Sequence, residues 1–389
     1  MSALWRTLRT VNTDTTSASS RESRGAPLRD SPGAPLRDSP LSRFCLAAYI
    51  LLVVYASLYP LSGWRDPGGS AFAFLFAPWP RYVTAFDLGA NFLGYLPYGL
   101  LCALVLRPRY AAGGATLVAA LSAAALSLTL EALQSFLPAR IPSNLDVIAN
   151  IAGASCGGLA GAALAPSLLG GGPLRRLRAA TLVPGAATDL GLTLLGLWLF
   201  AQLNPATLLF GTGDLRDLVA GSGERHAAQM FVSAEAATAA ANLVAVALFA
   251  SAMARPQASL FRLAAGLICV ALLVKTLAFA ILMQAEHVFA WLTPGAQFGL
   301  AIGAVLAYVA LRLPRTARLA LAAVLLMAAT VLVNLAPPNP YFAATLKVWE
   351  QGHFLNFNGL THLVSAAWPF AALAYLVYLA ASRLRDPLR

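Results

Sequence analysis

Two segments of the sequence repeat the same pattern of polar residues. Asp87 and Asn91 stand in one segment and Asp146 and Asn150 in the other, and both segments read Asp-x-x-Ala-Asn-x-x-Gly. In a helix, a spacing of four places Asp and Asn one turn apart on the same face. Aspartate at a helix N-terminus accepts hydrogen bonds from free amides, and the asparagine can bond to a neighbouring helix. The pattern therefore predicts two helices that present polar groups at the same level.

A third polar group lies between these segments. Glu131 and Gln134 are three residues apart and share a helix face, and Arg140 follows shortly after them. In this set Glu131 or Asp146 could act as a general base. Arg140 could act as a counter-ion for these carboxylates or could bind a phosphate. We treat Glu131, Asp146 and Arg140 as candidate catalytic residues. A structural role, with each polar contact contributing about 0.6–2 kcal/mol between helices, remains the alternative.

The composition of the chain indicates a membrane protein. The chain has 389 residues, of which 59% are hydrophobic and 11% charged, and its mean hydropathy is +0.69. Soluble domains have about 25% charged residues, so this composition excludes them. Apolar runs long enough to cross a membrane recur along the chain. We predict an all-α polytopic integral membrane protein. Its ten expected transmembrane helices lie near residues 43–61, 88–106, 114–136, 147–165, 188–203, 229–253, 260–283, 296–311, 319–335 and 360–381.

The basic residues predict the orientation of these helices. Most of the 27 Lys and Arg residues fall in the N-terminal segment, in every second loop and at the C-terminus. The positive-inside rule places these parts in the cytoplasm, together with both termini. The net charge of +11 is therefore a topology signal, and we expect no nucleic-acid partner. The polar groups around Glu131 then face the outer leaflet of what we predict is a bacterial inner (cytoplasmic) membrane.

A longer pattern surrounds these residues. It reads Glu131-x2-Gln134-x3-Pro138-x-Arg140-x2-Ser143-x2-Asp146-x3-Asn150-x2-Gly153-x3-Gly157, and it is preceded by Asn91-Phe-Leu-Gly-Tyr-Leu-Pro97-Tyr-Gly99. This pattern, from about Phe86 to Gly161, resembles the VanZ-like family. The resemblance implies a small membrane domain of several helices. It also implies a link to glycopeptide resistance, because the founding member of the family is associated with low-level resistance to teicoplanin.

The resemblance divides the chain into parts. We expect a disordered cytoplasmic tail in residues 1–42, which contain the tandem octapeptide Gly-Ala-Pro-Leu-Arg-Asp-Ser-Pro. A VanZ-like core of four helices follows in residues 43–166, and a cytoplasmic linker in residues 167–186. Residues 187–312 hold four further helices, with the hypothesis that they are a degenerate second copy. Residues 313–389 hold two C-terminal helices.

One binding residue is expected from outside the core. The family's usual Asp-Lys-x-x-His-Phe start is absent before the second span, but Asn358-Gly-Leu-Thr-His362-Leu begins the last span in a similar way. The hypothesis is that the last helix packs beside the first four and that His362 completes the site. The expected binding residues are then Asp87, Asn91, Gln134, Asn150 and His362.

Three functions fit this sequence. The first is an enzyme or binder that acts on an envelope lipid or a lipid-linked glycan. The second is a non-catalytic membrane scaffold that modifies antibiotic access, and the third is a transporter. The expected partners are membrane lipids and such an envelope substrate. We predict neither a cofactor nor a metal, because no nucleotide or phosphate-loop motif occurs and histidines are sparse.

Overall fold

The apolar runs of the sequence are helices in the computed structural model, which describes residues 36, 38–79, 84–216, 228–282, 288–336 and 355–384. These residues form helices and connecting loops, without a β-strand in the described ranges. The helices are α1 (Pro40–Leu58), α2 (Ala85–Leu106), α3 (Ala112–Gln134), α4 (Asn144–Leu169), α5 (Pro173–Thr181), α6 (Ala186–Ala201), α7 (Ala228–Ala252), α8 (Leu260–Leu282), α9 (Pro294–Ala310), α10 (Arg315–Leu335) and α11 (Leu355–Leu384).

Each predicted span coincides with one of these helices. Eight of them are long and apolar enough to cross a membrane, while α6 and α9 are apolar but have only 16 and 17 residues. The prediction of an all-α polytopic membrane protein is thereby confirmed. The expected tail (residues 1–42) lies mostly outside the described residues. Its last three residues, however, belong to α1, because the Ser39 side chain accepts a hydrogen bond from the Ser42 amide and caps the helix there.

Helix α5 occupies the region that the sequence predicted as a linker. It carries Arg175, Arg176 and Arg178, it has no buried residue, and Leu174 and Leu177 are exposed. A short helix with leucines and arginines on its surface has the composition of a helix that lies at a membrane interface. Nine residues are too few to cross a membrane, and so the search for long apolar runs does not find this helix.

Close contact between α2 and α4 organises the N-terminal bundle, which consists of α2, α3 and α4. A Cβ added at Gly153 would overlap the carbonyl oxygen of Phe92, and one at Gly157 would overlap that of Leu96. From the other side, a Cβ at Gly99 would overlap the carbonyl oxygen of Ala154. The two backbones therefore touch along several turns. This is the packing expected between helices in lipid, where small residues allow close approach and van der Waals contact.

Helix α7 is the centre of the C-terminal bundle, which consists of α6 to α11. Its residues from Leu243 to Ala250 are all buried, and α9 packs on it through Gly295, Gly299 and Gly303. Helix α9 therefore packs on α7 through glycines, as α4 packs on α2. This likeness is in line with the second-copy hypothesis for residues 187–312, which stays a prediction.

Lys275 is a buried cation within this bundle. Its Nζ donates to the carbonyl oxygens of Asn204 and Thr207, at 2.7 and 2.9 Å, and to the Thr207 hydroxyl at 3.1 Å. These acceptors belong to the loop after α6. A lysine in an apolar helix needs such partners, and here it attaches that loop to α8.

Helix α1 lies between the two bundles. On one side, the Tyr49 hydroxyl donates to the Gly94 carbonyl of α2 at 2.6 Å. On the other side, Cys45 lies 3.7 Å from the Thr193 hydroxyl of α6, and the ring of Tyr59 lies against Gly359 of α11. A single helix therefore connects the end of the N-terminal bundle that carries the polar groups to the last helix.

The basic loops lie together at the opposite end. Asp38 pairs with Arg43 and Arg109, and Arg178 pairs with Asp189. The Arg255 side chain donates to the Leu182 carbonyl, and that of Arg315 to the Ala252 carbonyl. The start of α1, the loops after α2, α4 and α7, and the start of α10 therefore share one end, which is the alternation that the charge pattern predicts. We call it the basic end, and the end that carries Glu131 the acidic end.

Substitution of Gly157 by Ala tests the α2–α4 contact. The added methyl group has no room beside the Leu96 carbonyl, and we expect overpacking to lower the free energy of unfolding by about 1–3 kcal/mol. The matched control is Gly94→Ala on α2, where a Cβ meets no atom within 4 Å. Thermal unfolding of both variants in detergent measures the effect. Equal stability of the two variants would contradict the close contact.

Candidate functional site

The acidic end of the N-terminal bundle brings together four chain segments. These are the end of α1, the start of α2, the end of α3 with the loop that follows it, and the start of α4. Asp87 lies in the first turn of α2, where it forms a capping box with Thr84. Asp146 lies in the first turn of α4, which Ser143 caps by accepting a hydrogen bond from the Leu145 amide. Capping thus fixes the helix starts that carry both aspartates.

Glu131 is the most deeply buried carboxylate of this group. Only 4% of its surface is exposed, and its Oε2 accepts a hydrogen bond from the Ser143 backbone amide at 2.9 Å. The charges of Asp146 and Arg140 both act on it. One oxygen of Glu131 is therefore held by the start of α4, in the neighbourhood of a second carboxylate and a single cation.

Arg140 and Gln134 hold the end of α1 against this group. Arg140 donates from Nε to the Tyr59 carbonyl at 2.9 Å and from Nη2 to the Ala56 carbonyl at 2.8 Å. Gln134 donates to the Ser57 carbonyl at 3.0 Å. The last carbonyls of a helix lack partners within the helix, and these side chains supply them. Burial lowers the pKa of the Arg140 guanidinium, and the nearby Glu131 carboxylate opposes this shift.

The two Asp-x-x-Ala-Asn segments meet across the α2–α4 contact. Asn91 of α2 forms a hydrogen bond with Asp146 of α4, and the charge of Asp87 acts on Asp146 as well. All three side chains are half-buried, whereas Glu131 is buried. The solvent exposure of the carboxylates thus decreases from Asp87 and Asp146 to Glu131.

A further polar layer lies one turn deeper. The buried Asn150 donates to the Ser127 hydroxyl at 2.9 Å, and Tyr95 forms a hydrogen bond with the same serine. Asn150 Oδ1 is buried and has no hydrogen-bond partner among the described residues. The sequence analysis did not select Tyr95, Ser127 or Ser143 as site residues. Tyr95 follows Asn91 by four residues, so the helical period could have placed it on the same face.

His362 lies near Asp214, in the loop after α6, and its charge acts on that carboxylate. Burial raises the pKa of Asp214, but the hydrogen bonds and charge of Arg216 and the charge of His362 outweigh it and leave the pKa below its usual value. Helix α11 contacts α1 through Gly359, so the expected proximity of the last helix to the core holds for α1. The recorded interaction of His362 is thus with Asp214, and its expected role beside Glu131 stays a prediction.

The arrangement provides hydrogen-bond acceptors in excess. Asp146 lies near the carboxylates of both Asp87 and Glu131. Arg140 lies beside Glu131 and already donates to two backbone carbonyls. Acceptors of this kind can bind hydroxyl or ammonium groups and can take up a proton. Within the described ranges, no group of three or more His, Cys, Asp or Glu residues has the geometry to hold a metal ion.

Comparison with protein families gives one match. Residues 44–165 match the family described as VanZ/LLP1. Comparisons with curated proteins and with solved structures give no match. The matched region runs from the start of α1 to the end of α4, which are the helices that form the acidic site. Residues 44–165, about a third of the chain, are therefore similar to the VanZ-like family and form a VanZ-like region of apolar helices.

Proposed function

We propose that the VanZ-like domain binds the polar part of an envelope lipid or a lipid-linked glycan at the acidic end of α2, α3 and α4. The observation that carries this proposal is the position of Glu131, buried beneath the half-buried Asp87, Asn91 and Asp146. A substrate that stays in the membrane reaches such a site with its polar group at the ends of the helices.

The charge balance of the site supports a ligand. Charged groups at membrane depth are costly and mostly serve function. Hydrogen bonds such as that between Asn150 and Ser127 are enough to hold helices together. Neighbouring like charges do not stabilise the packing of helices. Asp146 is repelled by Asp87 on one side and by Glu131 on the other. Hydroxyl or ammonium groups of a glycan or lipid headgroup would offset this repulsion by donating hydrogen bonds.

We assign different roles to the candidate catalytic residues. Glu131 has the position of a proton acceptor whose second oxygen is left for a ligand, since Ser143 holds the first. Asp146 and Asn91 would orient the bound group. Arg140 is a positioning residue in this proposal, because two of its nitrogens already hold α1.

The proposal includes an orientation. The membrane in this proposal is a bacterial inner membrane. The positive-inside rule then puts the basic end on the cytoplasmic side and the acidic end at the outer leaflet. Envelope lipids and lipid-linked glycans are then available on the side where the carboxylates lie. The main competing function is a non-catalytic scaffold that changes access of a glycopeptide. The bonds from Arg140 and Gln134 to the end of α1 favour that alternative, because they are structural contacts.

Exchange of Glu131 for Gln tests the proposed chemistry. The amide keeps the size of the side chain but removes its charge and its proton-accepting oxygen. A strain that lacks the protein is complemented with wild type or with Glu131→Gln at matched membrane levels, and its envelope lipids and glycans are profiled. We expect wild type to restore a missing or modified species and Glu131→Gln to restore less than about 1% of it, as for loss of a general base.

The control is Glu235→Gln. Glu235 is as buried as Glu131 and accepts a hydrogen bond from Thr293, but it lies in the C-terminal bundle. We expect it to complement like wild type. Equal restoration by Glu131→Gln and wild type would rule out chemistry at Glu131 and leave the scaffold function.

A double-mutant cycle tests the positioning role of Arg140. Arg140→Gln removes the cation beside Glu131 together with the bonds to Ala56 and Tyr59, and we expect a loss of about 2–4 kcal/mol in the free energy of unfolding. In the presence of Glu131→Gln the loss should shrink by about 1 kcal/mol, since no carboxylate is then left without its counter-ion. Unfolding in detergent measures both values. Strict additivity would show that the two charges do not interact.

A further inference from the structure

An apolar groove runs along α7 between α9 and α10. Its volume is about 640 Å³, within the range of about 300–1,000 Å³ that is typical of ligand sites. Alanines of α7, among them Ala237 and Ala241, form the floor. Ile302 of α9 and Leu325 of α10 stand on the two sides. The groove is therefore open toward the surface that faces lipid.

The dimensions of the groove match an acyl chain. On α7 its lining extends from Ser233 to Val244, which corresponds to about 16 Å of helix. One leaflet contributes about 15 Å of hydrocarbon. Except for Ser233, the lining consists of Ala, Val, Ile and Leu. A chain of methylene groups is the complement of such a surface.

A cation lies on α10 one turn beyond the groove lining, toward the basic end. Arg318 precedes Leu321 and Leu325, both lining residues, by three and seven residues on α10, so all three share a face. Its Nε and Nη1 are buried and lack a hydrogen-bond partner among the described residues. Buried donors of a charged group are costly when they are left unpaired. An anionic hydrogen-bond acceptor beside Arg318 would pair with these two donors.

The described carboxylates at this end are engaged elsewhere. Asp38 pairs with Arg43 and Arg109, and Asp189 with Arg178. Arg312, next to the lining residue Leu313, stacks on the ring of Tyr308 at 3.7 Å. These described carboxylates therefore have partners other than Arg318.

We propose that the groove binds an anionic phospholipid, with an acyl chain between α9 and α10 and the phosphate on Arg318. The guanidinium offers parallel donors that match phosphate oxygens, and basic pockets between transmembrane helices recognise acidic headgroups in this way. The site lies at the end of the molecule opposite to Glu131 and does not depend on the function proposed for the VanZ-like domain.

Lipid titration of the full chain tests the headgroup contact. The detergent-solubilised protein is titrated with phosphatidylglycerol or with phosphatidylcholine of the same acyl chains, and bound lipid is counted by native mass spectrometry. We expect phosphatidylglycerol to bind about tenfold more tightly, and Arg318→Gln to remove this preference. The control Arg262→Gln removes an exposed arginine of α8 at the same end and should leave the preference intact.

Filling the groove tests the acyl-chain contact. Ile302 is 50% exposed, so Ile302→Trp fills the groove without entering the core, and we expect it to weaken binding of both lipids about tenfold or more. Leu273→Trp, at a site on α8 that is 57% exposed and outside the groove, is the control. Equal loss with Arg318→Gln and Arg262→Gln, or displacement of the lipid by millimolar inorganic phosphate, would overturn the proposal.

Discussion

The contact between the backbones of α2 and α4 is the constraint on which the polar site depends. Asp and Asn have short side chains, and Asn91 reaches Asp146 only because glycines let the helices touch. Helices separated by larger side chains lie about 8–10 Å apart, and the two Asp-x-x-Ala-Asn segments would then face each other without bonding. The glycines of the pattern therefore belong to the site as much as its carboxylates do.

The end of α1 is held by the same side chains that surround the site. Arg140 and Gln134 satisfy its last carbonyls, and Tyr59 at that end contacts α11 through Gly359. A change of charge around Glu131 thus acts on groups that also fix the contact between the two bundles. Since interhelical polar contacts are strong in lipid only when they are fully satisfied, this end of the molecule is sensitive to single substitutions.

The molecule separates its charges along the helix axes. Carboxylates collect at the acidic end of the VanZ-like domain, whereas the arginines of the alternate loops collect at the basic end. Among the described residues of the C-terminal bundle, Lys275 and Glu235 are two buried charges, and each is held by hydrogen bonds. Polar chemistry is therefore placed at the ends of the helices, where desolvation costs less than at the middle of the membrane.

The sequence by itself determined the helices and their alternation, because apolar runs and spacings of three or four are local properties. It also selected eight candidate site residues, whose roles stay predictions; the structure brings seven of them to the acidic end. It also carried the VanZ-like pattern, which the family comparison confirms. It did not find α5, since nine residues with three arginines do not form a long apolar run. Only the tertiary structure decided that His362 lies near Asp214 and that Arg140 holds α1. It also showed that Tyr95, Ser127 and Ser143 bond to the polar groups. These outcomes depend on which helices touch, and contact between distant segments follows from packing that no local spacing records.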